Sequence, residues 1–360
     1  MSQNTVINQI FKVLSRSEFQ RHVRSFGNDK GVKSFSSWQQ FKVLMYAQIR
    51  QLVSLRDIVT SLKCHGSKLY HLGLKNVSRS TLADANKRRD ASCFEAMFYS
   101  LLSECQRIAP GHRLRMKRSL YSLDSTVISL ALSVFPWAKF RQRKGGVKLH
   151  MLLDHSGHIP AFTVMTDAAT HDSKVATDPS YGMPTLPAGS VLVMDRAYND
   201  FAWMQQLSDS KVSFVTRAKK NLKYRLVKRM PKCSEAGISC DHHIVLTGKT
   251  SSEKYSGILR IVKFRDKASG QKFTFLTNNL KLAATTIAQC YKERWQIELF
   301  FKWIKQHLKI KTFIGTSRNA VLTQIWVAMI YYLLLSFLKF SSKSKYSMLE
   351  IARKLRELAL

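Results

Sequence analysis

"GSVLVMDRAYND", residues 189–200, is the stretch from which the fold can be read. Four apolar residues in succession, Val191 to Met194, run straight into an acid, Asp195. The run has no polar alternation, so as a strand it is covered on both faces. The following "FAWMQQLSDS" (201–210) repeats apolar side chains at helical steps. A doubly covered strand feeding a helix is the crossover unit of a mostly parallel α/β sheet.

Upstream, "LYSLDSTVISLAL" (120–132), "VKLHMLLDHSG" (147–157) and "HIPAFTVMT" (158–166) read as strands, the last two joined at "DHSGH" as an antiparallel hairpin. Downstream, "VSFVTR", "HHIVLT", "GILRIVKF" and "KFTFLTN" are strands of a β-rich insertion. The first part of the chain is helical. "TVINQIFKVLSRSEFQRHV" (5–23) has apolar residues at three- and four-residue steps, with Ser15 and Glu18 spaced as a capping box. "SLRDIVTSL" (54–62) followed by "SRSTLADANKRRD" (78–90) fits a helix-turn-helix, with Ser80 as N-cap and Asn86, Lys87, Arg88 and Arg89 projecting. An ordinary helical bundle with a basic surface fits the same residues. The expected organisation is a helical DNA-binding domain over 1–110, the first part of an α/β core over 111–210, the β-rich insertion over 211–282, and a C-terminal helical part of the core over 283–360.

Lysine and arginine number 58 against 23 acids, a formal charge of +35 over 360 residues. The excess is spread through "RLRMKR", "KFRQRKGGVK", "RAKKNLKYRLVKR" and "KWIKQHLKIK" rather than gathered in a tail. Such a surface suits a polyanion, because neutralising phosphates releases counterions. The six cysteines form no C-x-x-C pair, as expected of reduced thiols in a cytoplasmic protein. Cys233, Cys240, His242 and His243 could meet, but their spacing fits no common zinc pattern. "AVLTQIWVAMIYYLLLSFLKF" (320–340) is long enough to cross a bilayer, yet it stands alone between strongly basic segments and reads as a core helix.

The chemistry rests on acids. Asp124 and Asp195 each follow an apolar run, so both are expected at the ends of adjacent strands. Two carboxylates brought together in so basic a chain suit Mg²⁺ or Mn²⁺, hard cations that take oxygen ligands. Asp172 and Asp154, in loop-like contexts, are weaker rivals. A third acid lies in "YKERWQIELFFKWIKQHL" (291–308). On one continuous helix Tyr291, Arg294, Glu298 and Lys305 fall within about 60° of one another. Trp295, Ile297, Leu299, Phe300, Trp303 and Ile304 then fill the remaining circumference. A simple i, i+4 ion pair between Arg294 and Glu298 is the bland alternative. Two smaller signals accompany these. His171 and Asp172 in "ATHDS" are expected in a turn or at the site mouth. Lys139, Arg141, Arg143, Lys144 and Lys148 flank two glycines, as in a loop lying on phosphates.

The spacing Tyr291, Arg294, Glu298, Lys305, together with "LDST" at Asp124 and "MDRAYND" at Asp195, resembles the bacterial insertion-sequence transposases with an Asp-Asp-Glu triad. Many members have Gly where this chain has Ala197. "WAKFRQRKGGVKLHMLLD" and "KLYHLGLKNVSRSTLADANKRR" share the resemblance, which covers nearly the whole chain. It implies a ribonuclease-H-like core interrupted by a β insertion. It implies two Mg²⁺ ions, replaceable by Mn²⁺, held by Asp124, Asp195 and Glu298. It also implies double-stranded DNA as substrate, contacted by Tyr291, Arg294 and Lys305, with Arg88, Arg89 and Lys144 as further basic contacts. Two DNA ends must meet, so a homodimer is expected in the DNA complex. The protein is expected in the cytoplasm, on the nucleoid, with no membrane role. Rival readings are a DNA-binding protein without catalysis and a nuclease of the same core without strand transfer. Trp203, Trp295 and Trp303 are candidates for stacking on an extruded base, although tryptophan on an apolar helix is commonly core.

Overall fold

The computed structural model describes residues 6–112, 114, 116–141, 144–231, 237–310 and 312–358, with the backbone alone at 6–8, 72, 139–141 and 144. Two compact units are distinguished. One comprises Met1–Pro110, Val127–Val147 and Phe301–Leu360, the other Gly111–Thr126 and Lys148–Phe300.

Six helices open the chain: α1 (Val6–Val13), α2 (Arg16–Ser25), α3 (Ser37–Arg50), α4 (Leu55–Cys64), α5 (Arg79–Arg88) and α6 (Ser92–Ile108). Serine hydroxyls start four of them, Ser15, Ser36, Ser54 and Ser78 each accepting an amide hydrogen from the first turn. Such a cap satisfies a backbone donor that helical geometry leaves free. The cap of α5 is thus Ser78, two residues before the expected Ser80. Phe19, Trp38, Phe41 and Phe94 pack edge-on or tilted with centroids 5.1–6.1 Å apart, an aromatic centre for these helices. Residues 65–78, including a 3₁₀ helix over Gly66–Leu72, separate α4 from α5. The three- or four-residue turn of a helix-turn-helix is therefore absent.

The strands are β1 (Leu120–Leu130), β2 (Lys139–Arg141), β3 (Lys144–Asp154), β4 (Ile159–Asp167), β5 (Val191–Met194), β6 (Ser213–Arg217), β7 (Tyr224–Arg229), β8 (Ile238–Leu246), β9 (Leu259–Arg265) and β10 (Lys272–Thr277). They join in one sheet of order β2-β3-β1-β5-β6-β10-β9-β8-β7, with β4 also on β3. Strand β5 lies parallel to both β1 and β6. Strands β10, β9, β8 and β7 continue the same sheet antiparallel. The β-rich segment expected at 211–282 is thus an extension of the central sheet, and its first strand, β6, belongs to the parallel part. Strand β7, "YRLVKR", is exposed at every position and has no further strand beyond it among the described residues.

Lys139–Arg141 and Lys144–Asp154 form antiparallel strands, which replaces the expected phosphate-binding loop. Gly145 has a packing reason: a Cβ there would come within 2.9 Å of the Leu130 carbonyl oxygen. Strand-linking helices α7 (Asp172–Thr177), α8 (Phe201–Asp209) and α9 (Lys249–Lys254) follow, then α10 (Ala284–Glu293) and α11 (Trp295–His307). Helix α10 covers the sheet with Ile287, Ala288, Cys290 and Tyr291 packed on Leu120, Val191, Val193, Val215 and Phe275. Full burial of a side chain such as Ile287 contributes about 1.5–3 kcal/mol by leaving water.

Helices α12 (Arg318–Ser341) and α13 (Met348–Glu357) complete the first unit. Helix α12 is long and apolar enough to cross a membrane, but 83% of its most apolar window is buried, against α3, α5, α6 and α13. Its composition is that of a core helix. Cys64 is exposed, and Cys93, Cys105, Cys240 and Cys290 are buried free thiols. Cys233 lies outside the described residues, and no group of three acids, histidines or cysteines poised for a metal occurs among them.

Candidate active site

Strands β1 and β5 run parallel with Leu123 opposite Met194. Asp124 and Asp195 each come directly after that last paired couple, so β1 and β5 carry both acids to the same end of their paired segment. Asp195 ends β5 as expected and precedes a 3₁₀ turn, Arg196–Tyr198. Asp124 lies mid-strand instead, because β1 continues to Leu130.

The segment carrying Glu298 is broken where one helix was expected. Arg294 caps α10 and leads directly into α11, with the bonds Arg294 N to Tyr291 O and Ile297 N to Arg294 O, both 3.1 Å, tightening the turn. The three-residue hydrogen bonds are those of a 3₁₀ step. The result is a compact cluster. Arg294 donates from Nη1 to Asp124 Oδ2 at 3.1 Å and from Nη2 to Glu298 Oε1 at 2.5 Å. Its guanidinium also lies over the Tyr291 ring, 5.6 Å from the centroid. The i, i+4 pair is therefore present, and it is half of a bridge between two of the three acids.

Burial raises the Asp124 carboxyl to about 6, with Glu298 and Asp195 adding to the rise, against the Ser125 amide and Arg294. Burial opposes the charge on Arg294, but Tyr291, Glu298 and Asp124 outweigh it and hold the guanidinium firmly protonated. Tyr291 is only 7% exposed, and burial raises its phenol. Trp295 and Leu299, expected in the core, are 56% and 42% exposed. Trp295 borders a cavity of about 350 Å³ lined also by Arg217, Phe273, Phe275, Tyr291 and Arg294. Trp203 is buried, and Trp303 packs on Tyr332 at 5.3 Å.

A second layer lies behind Asp124. The Ser125 amide donates to Asp124 Oδ1 at 2.8 Å, and the Ser125 hydroxyl donates to Asp172 Oδ1 at 2.6 Å. Asp172 begins α7, behind an N-cap at His171 whose ring accepts from Ser173 N. Lys148 from β3 donates to the same Asp172 oxygen at 3.4 Å and to the Thr170 carbonyl at 2.7 Å. His150 is fully buried, with Nδ1 3.7 Å from Asp172. Burial and the nearby Asp172 and Asp124 push the Tyr198 phenol well above its ordinary value. Asp172, ranked low from sequence, is thus joined to the site by contacts between residues 47 apart. Asp154 turns elsewhere and accepts from the Ser156 amide.

The remaining basic residues are in the first unit. Arg88 is exposed on α5 and pairs with Asp84 at 2.8 Å. Arg89, expected on the surface, is 8% exposed; it donates to Gln40 Oε1 at 3.0 Å and to the Phe35 carbonyl. Asn86, also expected to project, is buried and accepts from Gln40. Both residues are interior ties, since α5 turns that face into the bundle. Lys305 is half-buried on α11, Lys144 begins β3 with its side chain outside the described residues, and Arg143 lies wholly outside them.

Residues 115–334 match the family described as Transposase DDE domain, and residues 2–75 match a Domain of unknown function (DUF4372). The chain is 29% identical over 347 residues to a Geobacillus stearothermophilus protein named as transposase of insertion sequence element IS5377, covering 96% of this chain and 88% of that one. It is 35% identical over 258 residues to the Sinorhizobium fredii protein named as transposase y4zB, covering 71% and 69%. The piggyBac transposase, solved as a synaptic complex with hairpin DNA, superposes with a TM-score of 0.54 at 13% identity, over 98% of this chain and 80% of that one. That likeness is one of fold. The chain belongs to the DDE transposase family. It is a bacterial insertion-sequence transposase, an enzyme that cuts and transfers DNA strands.

The DDE domain implies dependence on divalent metal ions. The donor type fits, since Asp124, Asp195 and Glu298 are carboxylates near enough to act on one another, but they are not gathered as a ligand set in this structure: the Arg294 guanidinium lies between Asp124 and Glu298. Gathering all three around a metal requires that guanidinium to move aside.

Proposed function

We propose that Asp124, Asp195 and Glu298 hold two Mg²⁺ ions, with Mn²⁺ able to replace them, for cleavage at the ends of an insertion sequence and strand transfer into target DNA. The observation that carries this is that Asp124 and Asp195 follow the paired residues Leu123 and Met194, and that Asp124 is joined to Glu298 through Arg294. Metal bound there would neutralise charge on the scissile phosphate and lower the pKa of the attacking water. Arg294 exchanges its carboxylates for a DNA phosphate, a partner it binds equally well in fork geometry. Tyr291 supports the guanidinium from below. Trp295, exposed at the edge of the neighbouring cavity, offers a ring to an unpaired base near the break. Lys305, Arg88 and Lys144 take backbone phosphates elsewhere on the duplex.

The strand order β4-β3-β1-β5-β6, with β5 parallel to β1 and β6, supports a ribonuclease-H-like core. Strands β7 to β10 form its insertion before Glu298, and the N-terminal helices bind the element ends. Two copies act together on two ends of double-stranded DNA, in the cytoplasm on the nucleoid.

Replacing Asp195 by Asn or Glu298 by Gln tests the site. Nicking of end-containing DNA under Mg²⁺ should fall about 10²- to 10³-fold, the scale at which removing a key catalytic electrostatic group acts. Gel-shift affinity for the same DNA should hold. Undiminished nicking by either variant rejects the assignment.

A further inference from the structure

We propose that Asp172, acting through Ser125, is a positioning residue for the Asp124 carboxylate and so sets the protein's affinity for divalent metal. The inference rests on the metal role given to Asp124 above and extends it to residues that are not ligands.

The geometry is a chain of donors. Ser125 gives its amide hydrogen to Asp124 Oδ1 and its hydroxyl hydrogen to Asp172 Oδ1. The 2.6 Å hydroxyl contact has the length of a charge-assisted bond to a carboxylate. It fixes the Ser125 rotamer and, with it, the stretch of β1 whose amide holds Asp124. With Oδ1 held, Oδ2 is the oxygen turned toward Arg294. Asp172 is in turn paired with Lys148, which is anchored on the Thr170 carbonyl just before α7. Three segments thus meet at one oxygen: β1 through Ser125, β3 through Lys148 and His150, and α7 through Asp172 itself. A carboxylate placed this way begins nearer its ligating geometry, and partners behind a ligand typically tune metal affinity by 10- to 100-fold.

The test measures Mn²⁺ binding to the full-length, DNA-free protein from the spin-resonance signal of free Mn²⁺, with Tm in EDTA recorded for each variant. Ser125→Ala and Asp172→Asn should each weaken Mn²⁺ binding about tenfold or more. Ser125→Thr, which keeps the hydroxyl, should stay within about twofold of wild type. DNA nicking should then need correspondingly higher Mn²⁺ in the first two variants and reach its normal rate at saturation. Mn²⁺ affinity unchanged in Ser125→Ala overturns the proposal even if Tm falls, as does equal weakening in Ser125→Thr. Asp124→Asn serves as the separate control. If it binds Mn²⁺ as tightly as wild type, the metal role of Asp124 fails first.

Discussion

At the scale of single residues, Arg294 is the side chain with most at stake. It is 15% exposed and neutralises two half-buried carboxylates at once. Removing one partner of such a group leaves uncompensated buried charge, which costs about 3–5 kcal/mol. In Arg294→Ala, Asp124 and Glu298 would face each other and Asp195 with no cation between them. The expected outcome is a lower Tm in EDTA, tighter Mn²⁺ binding by the DNA-free protein, and nicking reduced about 10²-fold for want of a phosphate clamp. Unchanged Mn²⁺ affinity would show that the guanidinium does not compete with metal. Little of this pairing was legible beforehand. The i, i+4 spacing of Arg294 and Glu298 is visible in one segment, but the link to Asp124 spans 170 residues. Asp172 was hidden for the same reason. "ATHDS" reads as a turn, and only the folded sheet brings Lys148 and Ser125 to it. Arg89 misled in the opposite direction, because a run of basic residues gives no sign of which one faces Gln40.

At the scale of elements, local pattern served well wherever burial followed it. An unbroken apolar run located β5, "VSFVTR" located β6, and the "DHSGH" turn separates paired strands β3 and β4. The break at Arg294 left no mark, since apolar spacing is nearly the same for one helix as for two in line. Strand β7 escaped notice because, exposed at all its positions, it carries no burial pattern. Strand β3 and the turn after it impose a pH dependence. His150 and His155 are buried, and desolvation lowers them to about 4 and about 3. His150 faces Asp172 and Lys148; His155 faces His158, His112 and Glu293. In the unfolded chain both titrate near the ordinary value, about 6.5. The folded state therefore keeps its full advantage above that pH and loses it on acidification toward the folded values. At pH 5 the loss is about 2 kcal/mol for each histidine. Tm in EDTA should fall between pH 7.5 and 5, and His155→Gln should flatten that fall by about half. Equal slopes in the two proteins would contradict a buried neutral His155.

At the scale of the whole molecule, composition spoke most clearly. A formal charge of +35 pointed to a polyanion before any element was assigned, and membership of the DDE transposases agrees with it. If six to ten phosphates are neutralised, raising salt from about 50 to 200 mM should weaken DNA binding by about 10³–10⁵. A titration of affinity against salt with a slope shallower than about −3 would mean that few of these cations touch DNA. The same charge bears on the open side of the sheet. Among the described residues strand β7 ends the sheet, with Tyr224, Leu226 and Val227 exposed beside Arg225, Lys228 and Arg229. Unpaired backbone and apolar side chains invite another chain to add itself, and mutual repulsion of cations is what deters it. Solubility is thereby tied to ionic conditions: the molecule is guarded against fibril-like self-pairing in dilute buffer, and a bound polyanion that silences those cations also removes the guard.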